Sequence, residues 1–212
     1  MIRHVFQFIA LIMVFSLLQS CFNEEEQMVA FLEPDGSVML LIYKHNVYST
    51  EKTPSKRIKE ERVLLDHLLD ERDIPLMKAL SDMGANHVHI QVIRDTVPYE
   101  YLVKAQFDSF EDFFEALSAD QKLSTDVDVR LEEHVRSITI TREESPQVDS
   151  KPDKAVDDEK VLLIIANAYD LETTGLRRQG DNGVILNPAL VSSVSIRWKM
   201  KPRLDKPKVK QK

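Results

Sequence analysis

The chain is short of the residues on which most enzymatic and disulfide-built proteins depend. It has one cysteine in 212 residues, so no internal disulfide can form and a small fold stapled by bridges is excluded. Its five glycines supply no phosphate-cradling loop, and neither Gly-x-Ser-x-Gly nor His-Glu-x-x-His occurs. No catalytic residue and no cofactor is expected, and the protein reads as a non-enzyme. The carboxylate pairs Glu111/Asp112 and Asp126/Asp128 fall at a predicted helix start and on a strand face, where capping and solvation account for them. Basic charge is scarce as well. Lys and Arg number 28 against 35 Asp and Glu, and Arg197 to Lys212 alone holds 8 of the basic residues against Asp205. The acidic body that remains would repel phosphate, which argues against nucleic acid as its partner.

What is present begins at the N terminus. Arg3 and His4 precede a mostly apolar stretch from Val5 to Leu18, which ends in Leu18-Gln19-Ser20-Cys21 before the acidic run Glu24-Glu25-Glu26. A basic start, an apolar core and a small-residue region form the layout of a secretory signal over residues 1–20. About 14 apolar residues are too few for a hydrocarbon core that needs ~20. The Leu18-Gln19-Ser20-Cys21 segment resembles the lipobox of bacterial lipoproteins. That resemblance implies cleavage before Cys21 and acylation of its thiol with diacylglycerol and palmitate, giving a membrane-anchored envelope protein. Phe22 stands where an inner-membrane retention signal would place Asp, so in a cell with two membranes the implied address is the periplasmic face of the outer one. Two or three acyl chains anchor stably where one would not.

The mature chain divides by composition. Residues 21–27 read as anchor and tether, 28–142 as an α+β domain, 143–160 as a disordered linker rich in charge and proline, 161–200 as C-terminal strands, and 201–212 as a basic disordered tail. Within the domain, Met28 to Glu33 and Val38 to Lys44 flank Pro34-Asp35-Gly36-Ser37 as a hairpin. Pro54 opens a helix to about residue 71, with Ile58, Arg62, Leu65, Leu68 and Leu69 on one face. Pro75 opens a shorter helix that stops near Gly84. Asn86 to Asp95 and Tyr99 to Phe107 alternate as paired strands, and Ser109 with Asp112 caps a third helix. Val127 to Leu131 and Ile138 to Ile140 predict a second hairpin. The order predicts an α+β fold, an antiparallel sheet with helices packed on one face, and the strands of 161–200 are expected to complete that sheet or form a small β unit beside it.

Three sets of residues are candidates for function. Phe107, Phe110, Phe113, Phe114 and Leu117 form an apolar stripe, read first as core and alternatively as the wall of an apolar ligand pocket between helix and sheet. Trp198, Lys199 and Lys201 have the amphipathic character of a membrane-surface contact. His87 and His89 share a predicted strand face, but two imidazoles without further donors do not make a metal site, and none is expected.

The lipobox, the Glu33-Pro34-Asp35-Gly36-Ser37 hairpin, the helices and the strand pair running into Phe107-Asp108-Ser109-Phe110-Glu111-Asp112 resemble in layout the LppM-like bacterial lipoproteins. That resemblance implies a non-enzymatic surface module. The expected function is a lipid-anchored envelope protein that binds a partner protein or assembles with an envelope complex, and the alternative is a carrier or sensor of a lipid or other apolar ligand.

Overall fold

The computed structural model describes residues 22–71, 74–119, 135–141, 161–166, 168–186 and 193–200. Cys21, Val127 to Leu131, the linker 143–160 and the tail 201–212 lie outside the described residues.

The fold is α+β. Strands β1 (Phe22–Leu32) and β2 (Val38–Ser49) form the first hairpin. Its turn is closed by Asp35, whose Oδ1 accepts from the Ser37 amide at 3.0 Å and the Ser37 hydroxyl at 2.7 Å. Gly36 takes φ 97° there, a conformation open to glycine at little steric cost. Helix α1 (Pro54–Asp70) and helix α2 (Pro75–Asp82) each begin at proline, whose missing N–H and fixed φ suit a first turn. Strands β3 (Asn86–Arg94) and β4 (Tyr99–Phe107) follow, then helix α3 (Phe110–Ala119). At the start of α3 the Ser109 hydroxyl accepts from the Asp112 amide at 3.0 Å and donates to its carboxylate at 2.7 Å. After these come β5 (Val135–Thr141), β6 (Val161–Ile165), β7 (Ala168–Thr174), β8 (Arg177–Gln179), β9 (Gly183–Leu186) and β10 (Ser193–Met200).

Seven strands form one sheet in the order β3-β4-β2-β1-β6-β9-β8, and three form another in the order β5-β10-β7. The C-terminal strands are therefore shared out: β6, β8 and β9 extend the first sheet, while β7 and β10 join β5 in the second. Of the expected second hairpin, Ile138 and Ile140 pair with Ile196 and Val194 of β10, and the other half, Val127 to Leu131, lies outside the described residues. It also makes the large sheet mixed, because β6 runs parallel to β1, with Ala30 opposite Leu163 and Leu32 opposite Ile165. Antiparallel hairpins declare themselves through short turns, whereas a parallel pair needs a long crossover that leaves no local sequence signal.

A single core lies on one face of the large sheet, where alternation buries Ala30, Leu32, Val38, Leu40, Ile42, Val103, Ala105 and Phe107. The helices pack on that face, and Ile138, Ile140, Val194, Ile196 and Trp198 of the smaller sheet join the same cluster. Arg136 ties the two sheets together. Its guanidinium donates to the Glu33 carbonyl at 3.3 Å and to the Pro34 carbonyl, and lies 5.5 Å from the centre of the Phe110 ring.

Candidate functional site

Helix α1 does not seal the sheet. Of its seventeen residues only Glu61 and Leu68 are buried, and a cavity of about 650 Å³ opens between its inner face and strands β1, β2 and β4. The residues at 56, 59, 60, 63, 64, 67 and 68 recur at helical spacing along this lining. The apolar wall comes from Phe22 and Val47 on the sheet, Val63, Leu64 and Leu68 on α1, and Ile74, Pro75 and Leu76 at the entry to α2. Such a volume, apolar with a few fixed polar groups, is within the range of ~300–1,000 Å³ for small-ligand sites.

The polar groups in the cavity are Lys44, Glu24 and Tyr101 on the strands, with Lys56, Lys59, Glu60 and His67 from α1. Lys44 points to the core face of β2, where its side chain keeps 3% exposure. A lone ammonium there would be costly, and two carboxylates compensate it: Glu24 at 2.7 Å and Glu26. Desolvation pulls its pKa down, but the fields and hydrogen bonds of Glu26 and Glu24 outweigh that, and the net shift is upward. Tyr101, opposite Lys44 on β4, is pushed well above the ordinary phenol range by burial first and then by Glu24 and Glu26. Its phenol stays a neutral hydrogen-bond donor, and no hydrogen bond engages it among the described residues. Glu60 and Glu61 hold α1 to the end of β2: the Ser49 hydroxyl donates to Glu60 at 2.5 Å and the Ser49 amide to Glu61 at 3.2 Å.

The residues singled out in the sequence lie elsewhere. Phe107, Phe110, Phe113 and Phe114 are core, with Phe107 and Phe113 in edge contact at 5.4 Å and Phe113 and Phe114 at 5.1 Å. Leu117 packs half-buried against them, and none of the five lines the cavity. Trp198 is 1% exposed, with its ring 6.1 Å from that of Phe110. It cannot serve as a membrane-surface contact, because the alternation of β10 turns it toward the core. Lys199, on the other face of β10, pairs with Asp170 at 3.0 Å, and Lys201 and Cys21 lie outside the described residues. His87 takes φ 51° in an irregular stretch of β3 and so breaks the expected alternation with His89, which pairs with Glu71.

Two further readings change. Residues 22–27, expected as a tether, are the first half of β1 and register on β2 from Phe22 opposite Ser49. The acidic run is held by cross-strand partners, with Glu24 and Glu26 on Lys44 and Glu25 on Asn46 at 2.9 Å. Ile58 and Leu69, expected on the buried face of α1, are 62% and 60% exposed. Periodicity groups residues on a face but does not say that a neighbour covers it.

No protein-family model and no curated relative matches the sequence. Among solved structures, the chain is similar to the NMR structure of the folded domain of the Mycobacterium tuberculosis LppM protein, with 12% identity and a TM-score of 0.39, covering 87% of this chain and 94% of that one.

Proposed function

We propose that the protein is a lipid-anchored component of the bacterial envelope whose α+β domain binds an amphiphile in the cavity beneath α1. The lipobox at Leu18 to Cys21 supports the anchor and, with Phe22 after it, the periplasmic face of the outer membrane where there are two. The cavity carries the binding reading: an apolar chain would lie against Val47, Val63, Leu64 and Leu68, and the Tyr101 phenol would donate to an ester carbonyl or hydroxyl inside. An inner carboxylate is disfavoured by Glu24 and Glu26. Lys56 and Lys59 on the first turns of α1 favour an anionic group at the opening.

Titration of the chain with cis-parinaric acid tests this. Fluorescence should rise saturably with the native chain. Leu64→Trp, which fills the cavity, should abolish the rise, and Tyr101→Phe should weaken binding about 3–10-fold, the worth of one hydrogen bond. Equal binding by native chain and Leu64→Trp would refute the reading.

The partner-binding function has its own support on the other face of the large sheet. Val29, Phe31, Met39, Leu41, Leu162 and Ile164 alternate away from the core and stay half-exposed on adjacent strands β2, β1 and β6. A contiguous apolar surface of this kind marks interaction sites. A photocrosslinking residue at Leu41 should capture an envelope protein in native membranes, and the same residue at exposed Lys78, on helix α2 over the opposite face, should not.

A further inference from the structure

Of the six large apolar side chains exposed among the described residues, Val63 and Leu69 lie further along α1, and the other four gather at one place. Tyr48, Ile58, Ile93 and Val97 are between 40% and 62% exposed, and the strand register brings them to one end of the large sheet. Tyr48 lies opposite Asn23, the second residue of β1, and its neighbour Val47 lies opposite Tyr99, just past the β3–β4 turn that contains Val97. Arg94, next to Ile93, pairs with Glu100 at that turn. The bonds from Ser49 to Glu60 and Glu61 bring the N-terminal half of α1, with Ile58, to the same end. Helix α1 then runs back along the sheet, since Glu71 at its far end accepts from the Ile90 amide at 3.2 Å.

Two independent features coincide here. The chain enters the domain at this end, through Phe22, directly after the apolar segment Val5 to Leu18 and Cys21. Because β1 begins at Phe22, the acylated Cys21 of the proposed anchor would be the residue next to the fold. Exposed cations also gather here, with Lys52, Lys56, Arg57 and Lys59 before and within the first turns of α1. Most acids of the same end are engaged internally, with Glu24 and Glu26 by Lys44, Glu25 by Asn46, Glu51 by the Thr53 amide at 2.8 Å and Glu60 by Ser49, while Asp95 in the β3–β4 turn stands exposed. Apolar side chains interleaved with cations suit a phospholipid headgroup region.

We propose that this end of the domain, built from the start of β1, Tyr48, the first turns of α1 and the β3–β4 turn, docks directly on a phospholipid bilayer. Phe22, Val47, Lys56 and Lys59 line the cavity near this end, so docking presents the cavity to the lipid surface. The docking itself does not depend on the cavity being occupied.

The test uses the full chain on vesicles of phosphatidylcholine with and without phosphatidylglycerol. With Cys21→Ser removing the one native thiol, a bimane is placed at Ile58→Cys, Ile93→Cys or Gln106→Cys, and the lipids carry brominated acyl chains. All three sites are exposed, so folding is preserved. Quenching is expected at 58 and 93 and not at 106, which lies toward the far end of β4. Lys52→Glu/Arg57→Glu, two positions outside the cavity lining, should reduce association with phosphatidylglycerol vesicles about fivefold per cation replaced. Leu64→Trp should leave the quenching unchanged while abolishing cis-parinaric acid binding, which separates docking from ligand binding. Quenching at 106 equal to that at 58, or none at any site, would overturn the proposal.

Discussion

Lys44 sits where an aliphatic residue is expected, between Ile42 and Val47 on the core face of β2. Its charge is tolerated because Glu24 and Glu26 face it from β1, and the arrangement fixes the register of that strand end. Lys44→Met should cost about 2 kcal/mol, below the ~3–5 of breaking a fully buried pair, because the two carboxylates retain partial access to water. Urea denaturation of the two chains measures this. The folded pKa of Lys44 lies above the unfolded one, so its contribution is complete below about pH 10.5 and is lost as pH rises through the folded value. The stability difference between native chain and Lys44→Met should thus be flat through neutral pH and shrink only in strong alkali. Trp198 gives a second prediction at this scale. Fully enclosed and in contact with Phe110, it should cost ~3–5 kcal/mol on replacement by alanine, a loss that thermal unfolding would register and that a surface residue would not show.

Among the elements, the β1–β2 turn and α3 are dictated by neighbouring residues. Gly36 has φ 97° with open space where a Cβ would stand, so the cost of Gly36→Ala is backbone strain alone. It should lower stability by ~1 kcal/mol, seen as a shifted urea midpoint with unchanged slope. Such local signals are why the hairpin, the three described helices and the β3–β4 pair are legible in the sequence: Asp35 and Ser37, Pro54 and Pro75, and Ser109 with Asp112 each act within a few residues. Long-range pairing is not. Val161 to Ile165 is apolar on both faces, so its pattern fixes neither partner nor register. The cavity was hidden for a related reason: the stripe of four phenylalanines is the stronger apolar signal, yet strength of pattern means a well-covered core. The cavity forms under a helix whose inner face mixes Lys56, Glu60, Val63 and His67. A clue lay in α1 itself, where apolar residues fall at 58, 63, 64, 65, 68 and 69, on more of the circumference than one narrow buried face explains.

Across the whole molecule, the parts on either side of residues 143–160 are interleaved. β6 pairs with β1 and β10 with β5, so each sheet draws strands from both sides. A chain cut at a protease site introduced within 143–160 should therefore elute as one species on size exclusion, and its fragments should separate only in denaturant. Elution as two folded fragments would contradict the shared sheets. The same parallel pair sets a schedule for biogenesis. A chain threaded N terminus first presents Met28 to Leu32 more than a hundred residues before Val161 to Ile165 arrives to cover that flank. In the interval β1 offers an open strand edge of the kind that invites aggregation. Rapid emergence of the last fifty or so residues, or a holdase that shields the first hairpin, would thus decide the yield of native protein more than its final stability does.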